Sequence, residues 1–269
     1  MKGKKIKIFG VMMALAMVVS MMSVGIAAAD PGSLKWSEIK TPQDGAEGDY
    51  TLFSGSDVGP LAASPDGGTL YAASGEDMDT LMRSSDGGST WKMVVTKIDG
   101  EDATNFDDAI VSIAVSPDYD DDDTIVVVTE ANVYISIDRG KEFSITGDWS
   151  SPTSIALAAD ADGNLGAMLV GDSDDVYLKK GLIGSWTAQE VDASVLAVGF
   201  STTYADDELI VAVVSDGDTK VRTKFGTSAW GATIADSILY DISGDEPETF
   251  DSERASCLLY TSPSPRDRS

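Results

Sequence analysis

The chain has 269 residues, 45 of them Asp or Glu against 19 Lys or Arg, giving a formal net charge of −26 at neutral pH, and it contains no histidine. So acidic a chain lacks the Lys/Arg clusters that phosphate backbones require, which excludes nucleic acid as a partner. Without histidine there is no Ser-His-Asp or Cys-His triad and no His-based metal site, and no Gly-rich loop follows a strand and opens a helix as nucleotide binding would need.

Residues 1–29 read as a secretory signal peptide. Lys2, Lys4, Lys5 and Lys7 form a basic start, Ile8 to Ala29 carries no charge, and Ala27-Ala28-Ala29 offers an A-x-A cleavage site before Asp30-Pro31. The competing reading is a retained apolar anchor. With the signal removed, no membrane span is expected, and the protein is placed outside the cytoplasm: secreted, periplasmic or at the cell surface. The single cysteine, Cys257, lies close to the far end, so the segment 30–256 has neither a disulfide nor a thiolate nucleophile. Trp36, in Leu34-Lys35-Trp36-Ser37-Glu38-Ile39, reads as an isolated strand that could complete the last of a series of repeats.

From there four copies of one unit align. Each has an apolar strand, a short acidic loop, a second apolar strand and a hairpin ending in an aromatic. The copies cover roughly 57–96, 108–147, 153–192 and 194–234, and a fifth is expected to begin in 237–256. Ser64-Pro65-Asp66-Gly67-Gly68 fills the loop in the first and Ser116-Pro117-Asp118-Tyr119-Asp120 in the second. The third has Asp160-Ala161-Asp162-Gly163-Asn164, and the fourth Ser201-Thr202-Thr203-Tyr204. The closing aromatics, Trp91, Phe143, Trp186 and Trp230, are spaced by 52, 43 and 44 residues. A four-stranded propeller blade needs about 40–50 residues. The strands are short, β-branched and bounded by Gly, Pro and Asp, with little helical periodicity. The predicted fold is therefore an all-β propeller of four-stranded blades, incomplete, with about four blades and the start of a fifth. A β-sandwich competes but does not explain a repeated aromatic at this interval.

The hairpin of the first copy reads Ser84-Ser85-Asp86-Gly87-Gly88-Ser89-Thr90-Trp91, and a looser version follows at Ser136-Ile137-Asp138-Arg139-Gly140-Lys141-Glu142-Phe143. Ser and Asp at the start of a tight turn accept hydrogen bonds from backbone N–H groups a few residues on, and the glycines can take positive φ. The pattern S-x-D-x-G-x-T-W resembles the Asp-box, the hairpin signature of sialidase/BNR-type β-propellers. Sortilin-type receptors and the photosystem-II assembly factor family also carry it. The resemblance implies structural roles for Ser84, Asp86, Gly88, Trp91, Ser136, Asp138, Gly140 and Phe143, since in the family these turns lie away from the catalytic face.

A sialidase-like site would further imply three arginines clamping a carboxylate, a Tyr–Glu nucleophile pair and an Asp acid/base. Segment 30–256 holds four arginines, and three of them, Arg83, Arg139 and Arg222, fall at the hairpins. The crowded carboxylates of Asp118 to Asp123 suit a hard cation, so Asp118, Asp120 and Asp122 are the expected ligands of a Ca²⁺ ion, with solvated loop charge as the plainer alternative. Asp160-x-Asp162-x-Asn164 begins like an EF-hand loop but has Gly171 where the bidentate Glu belongs. Tyr119 and Tyr204 hold equivalent loop positions, suited either to stacking on a sugar or peptide or to packing on the neighbouring blade.

Cys257 to Asp267 resembles translated read-through of a sequencing-library adaptor, which sets 257–269 apart as non-native and puts the native end of the sequence near Ser256. Such a chain is expected to form an open arc or a strained ring and to aggregate. The functional expectation is a non-catalytic exported propeller that binds a protein or glycan or serves as a cell-envelope scaffold. The alternative is a secreted sialidase-like glycoside hydrolase.

Overall fold

The computed structural model describes residues 58–232, 234–238, 240–241 and 248–249, all within one unit of the chain, Ile39–Ser269. The expected signal peptide at residues 1–29, the Trp36 segment and the 257–269 tail lie outside the described residues. The described part forms four small antiparallel sheets arranged as a four-blade β-propeller.

The first blade is β1 (Val58–Ala63), β2 (Leu70–Ser74), β3 (Thr80–Ser84) and β4 (Lys92–Met93), paired in that order. The second is β7 (Ile110–Val115), β8 (Ile125–Thr129), β9 (Val133–Ser136) and β10 (Glu142–Ile145). The third is β11 (Ser154–Ala159), β12 (Leu165–Gly171), β13 (Val176–Lys180) and β14 (Thr187–Ala188). The fourth is β15 (Ser194–Phe200), β16 (Leu209–Ser215), β17 (Thr219–Phe225) and β18 (Ser237–Ile238). One-turn helices, α1 (Tyr119–Asp122) and α2 (Tyr204–Asp207), occupy the first loops of the second and fourth blades.

Two details differ from the sequence reading. The linker after the first blade is not loose: β5 (Lys97–Ile98) pairs in parallel with β10, and β6 (Glu101–Asp102) pairs with β5, so the second sheet has six strands. The expected start of a fifth copy at residue 237 is also corrected. Ser237–Ile238 hydrogen-bonds to Lys220 and Val221 and is the outer strand of the fourth blade. The fourth hairpin is long, because Trp230 leaves the strand and its indole N–H reaches the Gln189 carbonyl at 2.9 Å, while Arg222 meets Asp236 and draws the chain back. A separate two-stranded ladder, β19 (Tyr240–Asp241) with β20 (Glu248–Thr249), follows.

Alternate residues of a strand point to opposite faces. In a blade both faces are covered, so the central strands read as unbroken apolar runs. In β8, Ile125 and Val127 pack towards the first blade while Val126 and Val128 pack towards the third, all at 0 % exposure. Three inter-blade clusters result. Tyr71, Leu81 and Val94 meet Phe106, Ile113 and Phe143; Val126 and Val133 meet Met168 and Val170; Leu169 and Val176 meet Val195 and Val214. The repeated aromatic has a consistent place: Phe143, Trp186 and Trp230 each join the cluster shared with the preceding blade. Trp91 buries itself with Ala72 and Met82 on the outward face of the first blade, and Leu196, Ala197 and Val213 form a matching cluster on the fourth. The inner strands touch in succession, β1 with β7, β7 with β11 and β11 with β15, and among the described residues no comparable packing joins β15 to β1.

Phe143 rests edge-on against Phe106, with centroids 5.2 Å apart. Phe143→Ala should lower the unfolding free energy by about 3–5 kcal/mol, the usual cost of emptying a buried aromatic site. Met93→Ala, at a position 49 % exposed, should leave it nearly unchanged, and chemical denaturation of the two variants checks the contrast.

Candidate functional site

The two hairpin turns repeat one hydrogen-bond design. In the first, the Ser84 hydroxyl donates to Asp86 Oδ1 at 2.8 Å and accepts the Gly88 N–H at 2.8 Å. Asp86 then takes the Thr90 N–H on Oδ1 and the Thr90 hydroxyl on Oδ2, both at 2.8 Å, and the Trp91 indole donates to the Gly88 carbonyl. In the second, Ser136 binds Asp138 and the Gly140 N–H in the same way, and Asp138 Oδ1 accepts the N–H groups of Lys141 and Glu142. Gly87 and Gly140 both have positive φ, +66° and +86°, as does Arg139 at +65°. All eight residues singled out in these turns are thus used within the hairpins or the core beneath them.

The loop that was expected to hold calcium is organised by its own backbone. Asp122 accepts the Ser116 hydroxyl at 2.6 Å and the Thr124 N–H at 2.8 Å, Asp120 is exposed, and the Asp118 carbonyl caps α1 by accepting from Asp121 and Asp122. Burial and then the neighbouring carboxylates of Asp121, Asp122, Asp160 and Asp120 push the Asp118 carboxyl up. Among the described residues, no group of three or more acidic side chains is placed to hold a metal ion. The EF-hand-like loop closes on itself as well, with Asp160 Oδ1 accepting the N–H groups of Asp162 and Asn164. Gly171 has a steric role there: a Cβ would lie 2.6 Å from Val195 of the fourth blade.

Ser116-x-x-Tyr119-x-x-Asp122 and Ser201-x-x-Tyr204-x-x-Asp207 are two copies of one clasp. Each Ser hydroxyl donates to its Asp, and each Asp accepts the N–H two residues on, Thr124 just before β8 and Leu209 at the head of β16. Each helix ends on an acidic residue in the left-handed region, Asp123 or Glu208. Tyr119 meets Tyr71 of the first blade, hydroxyl to hydroxyl at 2.6 Å, and the Tyr71 hydroxyl donates to the Arg139 carbonyl at 3.0 Å. Burial and the Tyr119 contact push the Tyr71 phenol far up. Arg83 reaches the same Arg139 carbonyl, and Asp123 pairs with Arg139. In the other copy Glu208 pairs with Lys180 of the third blade at 3.0 Å. The three hairpin arginines therefore hold blades and turns together: Arg222 binds Asp236 and, at 2.8 Å, the Val191 carbonyl.

Between the inner strands of the third and fourth blades lies a cleft of about 490 Å³. It is lined chiefly by Leu157, Ala159, Gly199, Phe200, Thr202 and Tyr204, a size and lining within the ordinary range for ligand sites. A smaller cleft of about 160 Å³ shares Ala159, Asp160, Tyr204 and Ala205 with it and extends to Lys180 and Glu208. Asp160 and Tyr204 were visible in the sequence as loop residues. Phe200, Lys180 and Glu208 were not, because strand positions on separate blades carry no local signal of meeting.

No known protein family matches the sequence, and no curated protein is similar to it. Solved structures are similar in fold. A GH74 enzyme from Niastella koreensis is 17 % identical with a TM-score of 0.51, covering 64 % of this chain and 29 % of the enzyme. YCF48 bound to D1 peptide is 12 % identical with a TM-score of 0.44, covering 68 % and 54 %. The nidogen/laminin complex matches at 12 % and 0.45, covering 63 % and 61 %. The chain is a β-propeller, and it spans less than a third of the GH74 chain. Among the described residues, no helix is long and apolar enough to cross a membrane.

Two predictions concern the turns. Gly140→Ala sets a Cβ 3.0 Å from Ile125 and 3.4 Å from Val94 at a positive φ, whereas a Cβ at Gly87 meets nothing within 4 Å. Both should be destabilised by backbone strain of about 1–2 kcal/mol, with Gly140→Ala the worse, as read by chemical denaturation. The Thr90 N–H, first, and the Ser84 hydroxyl hold the Asp86 carboxyl down at about 2 from 3.8. A depressed carboxylate stabilises the fold above its unfolded pKa and loses that effect as pH falls through the folded one. The melting temperature of Asp86→Ala should therefore lie below that of the parent at pH 5, converge with it between pH 4 and 2, and equal it below pH 2.

Proposed function

We propose that the chain is an exported, non-catalytic β-propeller module that binds a protein or glycan, or contributes to a cell-envelope scaffold. The basic start and A-x-A end of residues 1–29 support export. The hairpin patterns support membership among Asp-box propellers. The observation that carries the non-catalytic reading is the engagement of Arg83, Arg139 and Arg222 in contacts between blades and turns, away from the cleft. A propeller face with clefts between blades is a common ligand-binding surface.

One observation favours the hydrolase as a second reading: Asp160 and Glu208 line the same cleft, and glycoside hydrolysis uses two carboxyl groups flanking one bond. Against it, the Asn164 side chain foremost holds the Asp160 carboxyl below the usual range. That suits a permanently ionised group better than a general acid, whose pKa should lie near the working pH. Fluorogenic sialosides and neutral glycosides assayed on the full chain should show no turnover. Turnover abolished by Asp160→Asn or Glu208→Gln would replace the binding reading with the hydrolase.

A further inference from the structure

Tyr119 and Tyr204 occupy the same place in two copies of the clasp, yet their hydroxyls end differently. Tyr71, the partner of Tyr119, pairs across the sheet with Ala62 and Arg83. The residue with the matching pairing in the third blade, between Ala158 and Lys180, is Ala167. Where the first blade offers a phenol, the third offers a methyl. Phe200, which stands where the second blade has Val115, supplies a ring against Tyr204, with centroids 4.4 Å apart, but it has no hydroxyl to give. Tyr204 is only 8 % exposed. It borders both clefts, and among the described residues its hydroxyl has no hydrogen-bond partner. Burial raises its pKa, so the phenol stays a neutral donor at physiological pH. The ring is buried while the hydroxyl keeps access to the clefts, since among the described residues Ser154 Oγ is the one fully buried side-chain oxygen without a partner, so a hydroxyl-bearing ligand entering the clefts can meet it.

We infer that the joined clefts between the third and fourth blades bind a neutral saccharide unit, with the cleft-facing Tyr204 hydroxyl as its hydrogen-bonding group. This rests on the glycan half of the function proposed above and narrows it to one site and one charge class. Leu157, Ala159 and the Phe200 ring provide an apolar floor for the C–H face of a sugar ring. Thr202, Asp160, Lys180 and Glu208 provide donors and acceptors around the rim. Two carboxylates against one ammonium leave the rim net negative, which disfavours sialic acids, uronic acids and phosphates. Small side chains along β11 let the ligand approach the strand edge closely.

The test titrates the full-length chain with the methyl glycosides of glucose, galactose, mannose and N-acetylglucosamine, with glucuronic acid as the charged control and a peptide array in parallel. At least one neutral glycoside should bind and glucuronic acid should not. Tyr204→Phe should weaken that binding about five- to tenfold, the loss expected for one hydrogen bond, with the melting temperature unchanged. Tyr119→Phe should do the reverse, lowering the melting temperature and sparing binding. Glu208→Gln, at an exposed rim position, should also weaken binding and gives an independent readout if Tyr204→Phe folds poorly. Binding indifferent to both cleft variants overturns this site and leaves a glycan-binding propeller standing. Peptide binding with no glycoside binding overturns the saccharide and leaves the protein-binding reading. No binding in either arm overturns both.

Discussion

Each blade must bury two faces, and nearly everything else in the molecule follows from that requirement. A four-stranded sheet of this length has too little interior to stand alone, so its stability comes from the clusters it shares with its neighbours. The junction of the first two blades shows this most fully. An apolar cluster from Tyr71 to Phe143 is closed at its rim by the Tyr71–Tyr119 hydroxyl pair and the Arg139 carbonyl. Arg139 accepts there because its left-handed backbone turns the carbonyl towards the first blade. The hairpin turn and the blade junction are thus one device.

The acidity of the chain acquires a structural meaning in the same frame. Many carboxylates act as local acceptors for backbone donors that tight turns leave unpaired. Asp66, Asp86, Asp138, Asp160, Asp122 and Asp207 all do this. Even the buried Asp172 is satisfied by the N–H groups of Ser150 and Ser151 from the loop between the second and third blades. An acidic side chain used this way is a short, rigid acceptor, and its charge strengthens each bond. The five aspartates between Asp118 and Asp123 divide in the same way: Asp122 folds inward, Asp123 pairs with Arg139, and the rest face water or cap the helical turn.

The cleft between the third and fourth blades marks the place where the repeat departs from its own pattern. The clasp is conserved between the two copies in its Ser, Tyr and Asp, but the preceding blade changes from Tyr71 to Ala167. A repeat protein that fills every junction alike has no pocket. Loss of one phenol from an otherwise regular junction leaves a hydroxyl without a partner beside open space, and this irregularity sets the third and fourth blades apart from the first and second.

By itself the sequence determined the blade number among the described residues, the strand order within each copy and the chemistry of the turns. These depend on local patterns: β-branched runs, Ser and Asp at fixed offsets from Gly, and an aromatic at a regular interval. It also placed Tyr119 and Tyr204 as equivalents. The tertiary structure decided which blade each aromatic packs on, the pairing of β5 with β10, and the assignment of Ser237–Ile238 to the fourth sheet. It also decided the meeting of Phe200, Tyr204, Lys180 and Glu208 at one cleft. Those contacts join residues tens of positions apart on different sheets, where the deciding quantities are the register of paired strands and the space left between blades, and neither is written in any single segment of the chain.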